Sequence, residues 1–102
     1  MDQQPRRWDL QDSLELITPK VYFQPGETTT LTYPCILYSI EGELADFADN
    51  ARYISNTRYS ITVIDRDPDS NIWRKVLELP HTALETVIKT DQLYHWNITL
   101  YY

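Results

Sequence analysis

The stretch from Arg58 to Pro80, RYSITVIDRDPDSNIWRKVLELP, sets a strand, a turn and a helix in immediate succession. Tyr59, Ile61 and Val63 alternate with Ser60, Thr62 and Ile64, and β-branched residues dominate, which suits a pleated strand. Asp65-Arg66-Asp67-Pro68-Asp69-Ser70 stops it. Pro68 has no N–H to give a ladder, and Asp69 or Ser70 can cap a following helix. From Ile72 the apolar spacing becomes helical, with Ile72, Val76 and Leu79 on one face and Trp73 and Leu77 beside it. Pro80 closes the helix, so the segment fixes a β-α-β order.

Beyond Pro80, Thr82–Lys89 and Tyr94–Tyr102 predict a hairpin around Thr90-Asp91-Gln92. Its second strand has the cleanest alternation in the chain: Tyr94, Trp96, Ile98, Leu100 and Tyr102 on one face, His95, Asn97, Thr99 and Tyr101 on the other. One of these faces is core, and the other is open to solvent or to a subunit contact. On the N-terminal side, Met1–Arg7 is expected to be a mobile polar arm. Leu10, Leu14 and Ile17 predict a short helix over Trp8–Ile17 with Asp9 as its cap, ended by Pro19. Val21-Tyr22-Phe23-Gln24 is a short strand stopped by Pro25-Gly26. Leu31–Ile40 predicts a second strand, in which Pro34 marks an edge position or a bulge. Residues 41–57, with Glu41, Glu43, Asp46 and Asp49, are expected to form a long acidic loop. The order is α-β-β-loop-β-α-β-β: an α+β fold with a small, mostly antiparallel sheet and two helices.

A length of 102 residues with 42% hydrophobic content allows one domain with one core. So small a domain gains stability readily by self-association. Fifteen acidic against nine basic residues give a net charge of −6. Arg6-Arg7 and Arg74-Lys75 are the only adjacent basic pairs, so no clustered basic face exists for a phosphate backbone. Cys35 is the sole cysteine, which excludes an intrachain disulfide and points to a reducing cytosol. Met1–Asp12 is polar and charged, so no signal peptide is expected, and no apolar run approaches the roughly 20 residues of a spanning helix. Asn97-Ile98-Thr99 matches a glycosylation sequon but is read as an ordinary strand triplet.

Chemistry is sparse. Asp65, Asp67 and Asp69 alternate as at the start of a calcium loop, but Ser70 stands where that loop needs glycine and Val76 where it needs a chelating glutamate. Turn formation and capping explain the three aspartates with fewer demands. His81 and His95 are the only histidines, and neither has a partner at zinc-ligand spacing. Cys35, between Pro34 and Ile36-Leu37, reads as a small buried hydrophobe; nothing near it in sequence marks the thiolate that a Cys35–His95 nucleophile pair would need. Two glycines cannot build a phosphate cradle. No catalytic, cofactor or metal residue is assigned, and an enzyme is not expected.

Eight tyrosines and three tryptophans in so short a chain exceed what one core absorbs. Tyr59, Trp96 and Trp73 fit core packing; Tyr22, Tyr38, Tyr53, Tyr101 and Tyr102 cannot all be interior. Tyrosine joins apolar area to a polar handle and is enriched at protein interfaces. The candidate interface residues are Tyr22, Phe47, Asp49, Tyr53, Tyr101 and Tyr102.

The chain resembles a family of tail-completion proteins of long-tailed bacteriophages. The resemblance rests on Val21–Pro25, Tyr33–Ser39, Phe47–Asn50, Arg58-Tyr59, Thr62–Ser70, Lys75-Val76 with Leu79-Pro80, Leu93–Trp96 and Leu100–Tyr102. It covers about Val21 to Tyr102, and its specificity lies in the order and spacing of these pieces. It implies a fold similar to lambda-type tail terminators: subunits that close into a hexameric ring on the tail-tube protein and present a face to the head connector. The implied function is mechanical, stopping tube growth and joining tail to head around a channel through which DNA passes unbound, with no cofactor, no membrane and no catalytic residue. The implied location is the tail neck of the virion, after assembly in the host cytoplasm. The alternatives are a head-completion or stopper protein on the connector side and, from a different class, a small metal-binding α+β domain. Residues 41–57 are the candidate tube-facing surface.

Overall fold

The computed structural model describes residues 6–26, 28–48 and 51–102, the side chains of 6 and 43–56 excepted. The elements run α1 (Arg6–Glu15), β1 (Val21–Phe23), β2 (Cys35–Ala48), β3 (Ala51–Asp65), α2 (Ile72–Val76), β4 (Thr82–Thr90) and β5 (Leu93–Tyr101). They form one five-stranded sheet in the order β1-β2-β3-β5-β4. Only β1 and β2 run parallel, with Tyr22 beside Leu37; the other pairs are antiparallel. The expected α+β class with a mostly antiparallel sheet and two helices is therefore the architecture observed.

Strand alternation builds the core. Ile36 and Tyr38 of β2, Tyr59, Ile61 and Val63 of β3, and Trp96, Ile98 and Leu100 of β5 point to one face and are buried there. Leu10 and Leu14, one turn apart on α1, and Val76 of α2 complete the same cluster. Each fully buried leucine contributes roughly 2 kcal/mol, and together the two fix which side of the ten-residue α1 faces the sheet. The Tyr38 hydroxyl adds a polar anchor, donating to Gln11 Oε1 and accepting from Arg7 at 3.2 Å. Trp73 stacks on Trp96 with centroids 6.1 Å apart, fixing α2 over β5.

Several local expectations are corrected. The segment 41–57 is not a loop: β2 and β3 continue through it, from Glu43 opposite Thr57 to Ala48 opposite Ala51. Continued pairing satisfies N–H and C=O groups that a loop would leave to water, and acidic side chains are no obstacle on a two-stranded ribbon. Arg6 and Arg7 belong to α1, so the expected arm ends earlier, and Asp9 lies inside the first turn instead of capping it. Residues 1–5 lie outside the described residues. Pro34 precedes β2, after a cis Tyr33–Pro34 bond, and is neither an edge residue nor a bulge. Asp69 does not cap α2; Asn71 stands at that position, and the Ser70 hydroxyl accepts from the Ile72 N–H at 3.3 Å.

Candidate functional site

Both helices cover the same face of the sheet, which leaves the other face without a helix. In register across it lie Leu37, Thr62 and Asn97, then Ser39, Ser60 and Thr99. All six are half-buried side chains on the pleat, and none is charged. The Thr62 hydroxyl donates to Asn97 Oδ1 at 2.9 Å, and Asn97 Nδ2 donates to the Thr86 hydroxyl at 2.8 Å, so one polar ladder crosses β3, β5 and β4. This ladder also occupies the amide nitrogen of Asn97, in mid-strand. A shallow polar groove of about 280 Å³ lies between this face and Gln24-Pro25.

At one end the face turns apolar, where Cys35 and Ile64 are buried and Ile64 stands opposite His95. Burial first, and then the charge of Asp65, push the Cys35 thiol up from 9.0 to about 11. It is a neutral buried group, as its sequence neighbours suggest. Strand β3 separates it from His95, two strand spacings or about 9.5 Å away. His95 Nδ1 is buried without a hydrogen-bond partner among the described residues. At the other end Arg58 lies over Gly42, where an added Cβ would stand 3.4 Å from a guanidinium nitrogen. Arg58 is the charged side chain at this end of the face among the described residues.

Of the candidate interface residues, the described Tyr22, Tyr101 and Tyr102 do not form one patch. Tyr22 shares the row of Leu37, Thr62 and Asn97, and Tyr101 is paired with Arg58 two rows away. Tyr102 packs against the core from the helix-covered side. Asp49 lies outside the described residues, as do the side chains of Phe47 and Tyr53. Tyr38 belongs wholly to the core, where burial raises its phenol above the ordinary value against the opposing hydrogen bond and charge of Arg7.

The acidic turn holds itself together. Asp65 Oδ1 accepts from the Asp67 N–H at 3.1 Å, and Asp67 Oδ1 from the Asp69 N–H at 2.9 Å. These are local side-chain turns, and no group of three acidic, histidine or cysteine side chains suited to a metal occurs among the described residues. No described helix is long and apolar enough to cross a membrane. Sequence reasoning missed the Thr62–Asn97–Thr86 ladder; its signal was present in the polar alternates of β3 and β5, and only the register joins them. No protein-family model matches the chain, and no curated protein matches it in sequence.

Proposed function

We propose that this chain is a structural neck protein of a long-tailed bacteriophage, a tail terminator that caps the finished tail tube and joins it to the head. Six copies close a ring around a DNA channel, with tube protein on one side and the head connector or stopper on the other. The observation that carries this reading is the asymmetric sheet: one face sealed by two helices, the other without a helix and lined by Ser39, Ser60, Thr62, Asn97 and Thr99 without a charge among them. A polyanion sliding along these rows meets hydroxyl and amide groups that compete poorly with water for it, with Arg58 the cation at one end of them. The net charge of −6 agrees with passage without binding. The resemblance over Val21–Tyr102 supports the same reading. The two-stranded ribbon beyond Arg58 is the part of the sheet that reaches past β5, and it is the natural contact with the tube.

The test adds purified chain to bare tail tubes of the phage that encodes it and follows tube length and end density by electron microscopy. Capping is expected as arrested elongation with a ring at one end. A variant with residues 43–57 replaced by Asn-Gly should keep its fold and lose capping. Binding to connector rings alone would assign the head-side stopper role, and binding to neither would overturn the reading.

A further inference from the structure

We propose that β4 is a self-association edge, and that a second copy of this chain pairs with it antiparallel about a two-fold axis through Val87. This goes beyond the ring reading, because a two-fold contact closes at two copies; it describes the chain free in solution, before any tube end is met.

The strand stands at the edge of the sheet, and nothing among the described residues pairs its outer side. Eight of its nine residues are exposed, including Leu84, Val87 at 52% and Ile88 at 51%. Val87 and Ile88 are adjacent, so apolar side chains stand out on both faces of a strand whose outer edge is free among the described residues. Proteins usually protect such an edge, because its free N–H and C=O groups template another strand. The opposite edge, β1, is only three residues long.

The hairpin fixes which groups are free. Asp91 and Gln92 both have positive φ, 50° and 64°, as a two-residue type I′ turn requires. Thr90 and Leu93 then form its hydrogen-bonded pair, and alternation turns the N–H and C=O of Lys89 and Val87 outward. An incoming copy must use these outward positions, and its register is selected by charge. Centring on Lys89 would set Lys89 against itself, and centring on Glu85 would set Glu85 against itself. Centring on Val87 places Val87 opposite Val87 and Thr86 opposite Ile88, and brings Glu85, which stands at the bulge between Leu84 and Thr86, beside Lys89 of the second copy at both ends. Among these registers it alone opposes unlike charges and self-pairs an exposed apolar residue.

The experiment uses the full chain. Native mass spectrometry and sedimentation should give a dimer at micromolar concentration. In a hydrogen-bonded antiparallel pair the two Cα atoms stand about 5.5 Å apart, within disulfide reach. Val87→Cys should therefore cross-link rapidly to a covalent dimer under mild oxidant. Ile88→Cys, whose own copy lies on a diagonal about 7–8 Å away, should cross-link at least about ten-fold more slowly. Cys35 is buried and does not compete. Val87→Pro removes an outward N–H and no internal ladder bond, and Val87→Lys sets two lysines face to face, so each should give a monomer with unchanged far-ultraviolet circular dichroism. If the proline variant unfolds, the lysine variant carries the comparison. A wild-type chain that stays monomeric up to about 1 mM, equal cross-linking at 87 and 88, or a hexamer that Val87→Lys leaves intact would each overturn the proposal. The last of these would leave the ring reading standing.

Discussion

Leu14 and Leu16 are two residues apart in sequence and have opposite fates: Leu14 is fully buried, whereas Leu16 is 89% exposed. Substituting each by alanine is therefore a matched pair in chemistry that differs only in environment. Leu14→Ala removes three carbon groups from a cluster that includes Leu10, Ile36 and Tyr38. At about 0.8 kcal/mol per buried methylene the transfer loss is ~2.4 kcal/mol. A residual cavity adds to this, less than the maximum because α1 lies on the outside of the sheet and can settle inward, so the total should be about 3 kcal/mol. Of a typical stability of roughly 5–15 kcal/mol this is a large share, and with a urea slope of ~1.5 kcal/mol per molar it lowers the midpoint by about 2 M. Leu16→Ala should shift the midpoint by less than about 0.3 M. Urea titration followed by tryptophan fluorescence measures both in one series, since Trp96 lies in the cluster. If Leu16→Ala cost as much as Leu14→Ala, α1 would present a different face to the sheet, and the assignment of its buried side would be wrong.

The remaining predictions concern pH and the β4–β5 turn. Because the folded Cys35 thiol titrates at about 11 against 9.0 without burial, the unfolded chain releases this proton first as pH rises. The folded state keeps its full stability below pH 9 and loses about 2–3 kcal/mol of it through this group by pH 11. Cys35→Ala lacks that loss, so the stability gap between the two proteins should narrow from pH 9 to 11 in parallel urea titrations; the raised Tyr38 phenol acts equally in both and cancels. A gap constant with pH would contradict the neutral buried thiol. At the turn, Gln92 holds φ 64° without being glycine, so Gln92→Gly should raise stability by roughly 1 kcal/mol in thermal melts, and a loss there would count against the type I′ geometry.

How much the sequence tells depends on whether a residue's role is set locally. The alternation of Tyr59, Ile61 and Val63, and of Trp96, Ile98 and Leu100, predicts the observed buried face because a strand's period of two is a local property. The Pro68 turn and the helix after it are legible for the same reason. Pairing is not local. Residues 41–57 carry no clear alternation, and the stretches 42–48 and 51–57 are strand because they pair across the ribbon, a fact no window of single-chain sequence contains. The polar ladder is hidden in the same way: Thr62, Thr86 and Asn97 are ordinary strand residues until the order β3-β5-β4 makes them neighbours. Cys35 was legible as a buried hydrophobe from Pro34 and Ile36-Leu37, whereas its distance from His95 required the register.

The extension of β2 and β3 changes what the 41–57 segment can do. At about 3.3 Å per residue the fifteen residues of β3 span ~50 Å, close to the 51 Å long axis of the molecule. The same strand that carries Ile61 and Val63 in the core therefore continues to the pairing of Ala51 with Ala48. A partner binding a flexible loop of this length would have to order its backbone at about 1 kcal/mol or more per residue, all subtracted from affinity. In a paired ribbon that ordering belongs to folding, so contact energy goes into binding instead. At the root of the ribbon Gly42 pairs with Arg58, beside a bulge that follows Ile40. Bulges increase local twist and re-aim a strand, so this short stretch sets the direction in which the ribbon leaves the sheet. In the ring proposed above, that angle would decide which neighbour the ribbon meets. The helix-free face and the ribbon are joined by β3, and the bulge between Ile40 and Gly42 lies at their junction.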